Sequence, residues 1–283
     1  MTNYSKSTDY VNPTSELQQL TNKSILEFFS VELKPDIHYT KVAKTGQYVQ
    51  SGTTITITLN SHGFSAGLIL SLKFVTGGAI DGIYTIKTVA TNTFTVTAIN
   101  SATITGTHNV TFNVNSTISD PTVYLFHSGN NMKDSFDIVW QSNTYSRMPC
   151  SADGFKYSGK GKLPRPTLTL SNLLGTITAI LQLTNQTTAF SDLAGAKVIR
   201  RRALSQDLDE INFPSNVNPY KNGTVDPSAE LPREVYFIER KTVENFNIVQ
   251  FELVSSFDLF GITAPKKLVT KKDFAGVGRF VNF

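Results

Sequence analysis

Alternation of apolar and polar positions recurs along this chain, the pattern of strands with one buried face. In residues 54–59 threonines alternate with Ile55, Ile57 and Leu59; residues 93–97 repeat the alternation around Phe94 and Val96, and residues 68–74 and 110–114 follow it. Gly63, Gly77-Gly78, Asp81-Gly82 and Gly106 fall between these runs, where tight turns are expected. From residue 44 to 119 threonine, glycine and asparagine rise while acids nearly vanish. About four to six short strands joined by glycine turns predict a small threonine-rich barrel or sandwich of about 75 residues.

The flanking sequence carries a different pattern. After Asn12-Pro13-Thr14, residues 15–20 predict a short helix that can dock through Leu17 and Leu20. Residues 25–33, ILEFFSVEL, are apolar on both faces and predict a largely buried strand. Residues 123–126 predict the next strand of the same sheet, a turn is expected at residues 129–131, and Trp140, the only tryptophan, is expected in the core. Residues 163–170 open with two prolines and continue as a half-buried edge strand. Leu173, Ile177, Ile180 and Leu181 are near helical spacing among threonines that also suit a strand; a short helix ending near Thr188 is the expectation. Residues 197–202 and 235–240 predict further strands, and 248–254 another after a turn at Glu244-Asn245. A long loop with three prolines lies between residues 218 and 232, a length usual for functional or intersubunit loops.

Charge narrows the function classes. The net charge is +4, but only 17% of residues are charged, and Arg200 to Arg202 is the only dense basic run, which argues against a general nucleic-acid or membrane-surface binder. Arg200 and Arg202 share one strand face and Arg201 takes the other, with Asp207, Asp209 and Glu210 as nearby anions, so ion pairs within or between chains are favoured over nucleic acid. Residues 1–11 are polar and suit neither a signal peptide nor an anchor, and no run of eighteen apolar residues exists. The single cysteine, Cys150, excludes an intrachain disulfide and any multi-cysteine metal site.

Motifs of catalysis are absent from the sequence. His38, His62, His108 and His127 have no metal-ligand spacing and are expected on the surface or in turns. No G-x-S-x-G occurs, and no carboxylate pair stands out as acid and base. Gly154, Gly159 and Lys160 approach the phosphate-cradling pattern, but Gly161 replaces the metal-binding hydroxyl and Pro164 and Pro166 forbid the helix that must follow.

An ordered set of residues carries a resemblance: Gly154-Phe155, Gly159-Lys160-Gly161, the run RPTLTLSNL at 165–173, Gly175, Gly195, Val198, Arg200-Arg201 and Asn212-Phe213. In order and spacing it resembles the minor tail protein L family of lambdoid long-tailed phages. The resemblance implies a mainly β fold with few short helices: a tail-tube-like β sandwich or barrel hub domain formed by residues 1–43 and 120–260, carrying residues 44–119 as an inserted module. It further implies a non-enzymatic virion protein, assembled in the host cytoplasm into a ring, a homotrimeric hub of the tail tip. That hub would join the distal tail protein to the central host-recognition protein, with no membrane anchor and no sequence-specific nucleic acid. Alternative readings are a hexameric distal tail ring and, on the threonine-rich module alone, a secreted carbohydrate-binding β protein; a depolymerase has no motif behind it.

Candidate subunit- or partner-binding residues are Arg165, Arg200, Arg201 and Arg202. Phe274, Phe280 and Phe283 join them from a C-terminal extension, residues 261–283, expected to dock on a partner chain. The family includes members whose cysteine-rich C-terminal segment binds an iron–sulfur cluster. A four-iron cluster normally takes four thiolates. The present sequence stops at Phe283, about where that segment begins in those relatives, so no cofactor is expected and Cys150 is expected to be a buried, inert thiol.

Overall fold

The computed structural model describes residues 24–117, 120–129, 137–155, 164–220 and 229–256. The helix expected at 15–20, most of the 154–163 turn, the centre of the proline loop and the C-terminal extension lie outside the described residues. The protein is mainly β, as the alternation predicts. The chain begins with β1 (Ile25–Glu32) and continues through β2 (Lys41–Thr58), β3 (Ile69–Phe74), β4 (Gly82–Val89) and β5 (Thr93–Asn115). There follow β6 (Val123–His127), β7 (Ile138–Trp140), β8 (Asn143–Arg147), β9 (Cys150–Asp153), β10 (Thr167–Ser171), α1 (Thr176–Thr187), β11 (Lys197–Leu204), β12 (Glu234–Glu244) and β13 (Ile248–Val254).

Nine strands form one sheet in the order β7-β8-β6-β1-β11-β12-β13-β10-β9. Only Met148 and Pro149 separate β8 from β9, yet β8 pairs with β6 near one side of the sheet and β9 pairs with β10 at the other. The chain stretch from β8 to β9 therefore bridges the two sides and curls the sheet into an open barrel, in which β7 and β9 are the edge strands. β1 is central and buried on both faces, the reason its sequence reads as a continuous apolar run. Phe29 and Val31 belong to the principal core, with Val198 of the neighbouring β11 and Leu168, Ile238 and Phe251 from further strands. Helix α1 adds Ile177 and Leu181 to that core. It starts after Gly175, whose left-handed backbone (φ 67°) suits glycine, and the Asn172 side-chain carbonyl accepts the Thr178 N–H at 3.2 Å.

A second apolar layer covers the other face of β1. Leu26 and Phe28 meet Trp140 and Tyr145 of the β7–β8 hairpin, with Leu208 and Phe213 from the turns after β11. Trp140 is fully buried and stacks on Phe28 at 4.8 Å between ring centroids.

Strands β2 to β5 form a separate four-stranded sheet in which β5 pairs with β2, β3 and β4, and β3 also pairs with β4. Its own core is built on Tyr48, Ile55, Ile57, Phe94 and Val110. Ile69 and Ile83 of this unit pack against the Phe28–Trp140 layer of the barrel. Polar bonds seal the same junction: Lys87 Nζ donates to the Ser142 carbonyl at 2.7 Å, Asn143 Nδ2 to the Ile83 carbonyl at 3.3 Å, and Thr85 Oγ1 to Asn143 Oδ1 at 2.8 Å.

Of the histidines expected on the surface or in turns, His38 does lie in a turn, but it is buried, as are His62 and His127. Burial is tolerated where the ring satisfies backbone groups. His38 Nδ1 accepts the Lys34 N–H at 2.8 Å and its Nε2 lies 3.1 Å from the Ala194 carbonyl, while His62 Nδ1 accepts the Phe64 N–H at 3.0 Å. Burial, chiefly, pushes the His38 pKa down, which keeps the ring neutral in that role.

Candidate functional site

Strand β11 lies between β1 and β12, with Arg201 opposite Phe28, Arg202 opposite Glu27, and Arg200 opposite both Phe29 and Glu234. Alternation divides the three arginines between the two faces as the sequence predicts. Arg200 bonds Glu27 and donates to Glu234 at 2.9 Å, with its guanidinium 4.5 Å from the Phe155 ring centroid. Arg202 donates to the other Glu234 oxygen at 3.0 Å.

Arg201 is the most enclosed of the three. Its fork grips Glu230 at 2.8 and 2.7 Å, it donates to Gln141 Oε1 at 2.6 Å and to the Tyr145 hydroxyl at 3.3 Å, and its guanidinium lies 4.1 Å from the Trp140 ring centroid. Burial opposes the charge on both partners, but their mutual bonds outweigh it, raising the Arg201 pKa and lowering that of Glu230. Arg233 adds a second fork to Glu230 at 2.9 and 3.0 Å.

The anions are not those expected from sequence proximity. Asp207, Asp209 and Glu210 lie in tight turns after β11, whereas Glu27 and Glu234 sit on the strands paired beside it and Glu230 shortly before β12. Cross-strand neighbours meet at about 5 Å, closer than residues a turn further along the chain. Buried Asp209 instead accepts the backbone N–H groups of Gln141 and Ser142, both at 2.8 Å. Burial raises its pKa, with those two N–H groups acting in the opposite direction.

Arg165 stands in another ion-pair group, with Glu239 at 2.8 Å and Glu252 at 3.5 Å; Arg240 also binds Glu252, at 2.8 Å. Phe274, Phe280 and Phe283 lie outside the described residues. The structure thus brings Arg200, Arg201 and Arg202 together on β11 and pairs each inside the chain. Glu27, Glu230 and Glu234 escape sequence reasoning because their partners are distant in the chain. Exposed apolar side chains also go unnoticed: Leu174 is 94% exposed, Phe190 92% and Phe246 76%. Their signal in the sequence is a large apolar residue outside any strand pattern, clearest for Phe246 between Asn245 and Asn247.

Cys150 is half-buried on β9, and burial, against a bond to Ser128, pushes its thiol up to about 11. It therefore stays protonated at neutral pH, and within these 283 residues it supplies one sulfur where a four-iron cluster takes four thiolates. The residues present do not fit such a cluster. Among the described residues no group of three or more histidine, cysteine or acidic side chains is placed to hold a metal ion, and no helix is long and apolar enough to cross a membrane.

Paired ions stitch the curled sheet and apolar side chains stand exposed at its loops; comparison with known sequences shows the class of protein to which this arrangement belongs. The profile of the family described as phage minor tail protein L matches residues 116–275, more than half of the chain. The chain belongs to that family, whose members are structural proteins of the phage tail. It is similar to the tail tip protein L of Escherichia phage lambda, 35% identical over 108 residues. That similarity covers 38% of this chain and 41% of the lambda protein, so it spans less than half of the relative's length. The family match begins at residue 116, immediately after β5 ends at Asn115.

Proposed function

We propose that the chain is a tail-tip hub protein: three copies form a ring that joins the distal tail protein to the central host-recognition protein. The observation that carries this reading is the family match over residues 116–275, which runs from the end of β5 through every later strand of the barrel. In this reading residues 1–43 and 120–260 form a discontinuous tail-tube-like hub domain and residues 44–119 an inserted module. The separate core of β2 to β5 and the start of the family match support that division. Assembly takes place in the host cytoplasm, and the role is structural rather than catalytic.

Contacts between copies use the apolar loop residues Leu174, Phe190 and Phe246, because exposed aliphatic and aromatic anchors lose the most water on association. Residues 261–283, with Phe274, Phe280 and Phe283, dock on a neighbouring chain, and Arg165 lies at the rim of a contact. The particle mass in solution and the symmetry of tail ends in electron micrographs test the ring. Three-fold density supports the hub; six-fold density assigns the chain to a distal ring instead, and a monomer that leaves tails normal when deleted overturns both.

A further inference from the structure

A cleft of about 370 Å³ separates the four-stranded unit from the barrel. Its barrel side is formed by β1 and β11, including Ser30, Glu32 and Lys197; Lys73 and Asp81 border it from the four-stranded unit, and Gln141 from the β7–β8 turn. Two polar atoms there are buried with no hydrogen-bond partner among the described residues: Ser30 Oγ, in a residue 1% exposed, and Gln141 Nε2, in a residue 5% exposed. Buried donors of this kind are nearly always satisfied in folded proteins, by protein or by bound water, so both are free to bond a water or a ligand held in the cleft.

Gln141 is held at the cleft under backbone strain. Gln141 and Ser142 both have left-handed backbone, φ 49° and 62°, the hairpin geometry that asparagine and glycine adopt at lower cost. Asp209 braces the turn through both N–H groups, and Arg201 binds Gln141 Oε1, which leaves the Nε2 amide as its unused donor. Strain that surrounding bonds maintain is concentrated at functional positions.

The charges define the complementary chemistry. Lys73 has no carboxylate partner among the described residues, and Lys197 is bound only loosely by Glu32, at 3.3 and 3.4 Å. Asp81 uses Oδ1 to accept the Phe74 N–H, and Glu32 remains an acceptor beside Lys197. A matching ligand brings an anionic oxygen for the ammonium groups, further acceptors for Ser30 and Gln141, and hydroxyl donors for the two carboxylates. Leu72 and Ile199 supply apolar wall for the face of a ring. The volume lies in the range of small-molecule sites. We propose that this cleft binds a sugar acid, a uronic-acid monosaccharide or disaccharide.

The test is titration of the full chain with glucuronate, glucose and acetate, followed by saturation-transfer NMR and calorimetry. Saturable binding of glucuronate is expected, at least tenfold tighter than that of glucose or acetate, and weakened at least tenfold by Ser30→Ala and by Lys73→Ala. The first variant removes an unpaired hydroxyl and the second an exposed ammonium, so circular dichroism should show both folded. No saturation at about 10 mM glucuronate, equal binding of acetate, or undiminished affinity in either variant overturns the proposal. The measurement needs no assembled ring, so it fails or succeeds independently of the tail-hub reading.

Discussion

Replacing Arg201 with methionine keeps the apolar stem over Trp140 but removes the fork that neutralises Glu230. The Glu230 side chain is 7% exposed and that of Arg201 11%, so the carboxylate cannot turn to water for compensation. Breaking one partner of a buried ion pair costs about 3–5 kcal/mol. Arg233 still holds Glu230 from a 51% exposed position, which places the expected loss near the low end, about 3 kcal/mol. Arg202→Met is the contrasting variant: its side chain is 28% exposed, and Glu234 keeps Arg200 when it is gone. Its loss should stay below about 1 kcal/mol. Arg201→Met/Glu230→Met removes both charges and should recover most of the stability, because no unpaired buried charge remains. Urea unfolding followed by the fluorescence of Trp140 reports this layer directly, and an unchanged m-value shows that the loss is one of stability. A loss below about 1 kcal/mol for Arg201→Met, an equal loss for Arg202→Met, or a double variant no better than the single one would refute the argument.

Glu230 also sets an acid dependence: its folded pKa lies below the ordinary glutamate value, so its contribution is present above about pH 4.3 and is lost as pH falls through the folded value. Stability curves against pH should therefore fall less steeply on the acid side for Glu230→Gln than for the parent, and parallel curves would count against this. Replacing residues 44–119 with a glycine-serine link should leave a folded barrel, but one weakened by about 2 kcal/mol because Ile69 and Ile83 no longer cover the Phe28–Trp140 layer; loss of soluble protein would make the four-stranded unit part of the obligatory core. Leu174→Asp, Phe190→Asp and Phe246→Asp should change monomer stability by less than about 0.5 kcal/mol while abolishing self-association in sedimentation. Wild-type association in all three variants would remove these loops from the interface.

The legibility of the sequence followed the range of the interactions involved. Strand β1 and the threonine alternation were readable because period-2 burial is a local property. Gly106, expected in a turn, has left-handed backbone (φ 99°), yet β5 continues through it as a strand of 23 residues, and β2 runs through Gly52 (φ 60°) for 18 residues in the same way. A register shift between Gly52 and Thr54 shows how the ladder absorbs an irregular residue as a bulge. Strand β4 begins at Gly82, within the Asp81-Gly82 pair that the sequence reads as a turn. The carboxylates facing the arginines were unreadable, since Glu27 is separated from Arg200 by 173 positions and only the antiparallel register brings them together.

Several of the residues that carry the family resemblance, Phe155, Arg200, Arg201, Asn212 and Phe213, share a physical role. Phe155 lies under Arg200, and Arg201 covers Trp140. Asn212 acts as a substitute strand for β7, accepting the Val139 N–H at 2.8 Å and donating to the Val139 carbonyl at 2.5 Å, while Phe213 fills the layer beneath. These side chains fasten β11 to its coverings on both faces of the sheet. Removing Arg201 takes the main partner from buried Glu230, and removing Asn212 leaves the Val139 backbone groups unpaired, whereas losing Phe155 or Phe213 opens a cavity. A guanidinium already committed to a buried carboxylate has little left for a partner, which shifts the burden of association onto side chains with nothing to bond inside the chain. Leu174, Phe190 and Phe246 meet that condition, and Phe190 meets it at φ 59°, a backbone conformation that costs a bulky residue energy. The loop that holds it there is braced by Asn185, which bonds Ser191 and Asp192, and by the Asp192–Lys241 ion pair. An aromatic ring carried on a braced backbone loses little further backbone freedom on binding, which is the property the proposed contact between copies requires.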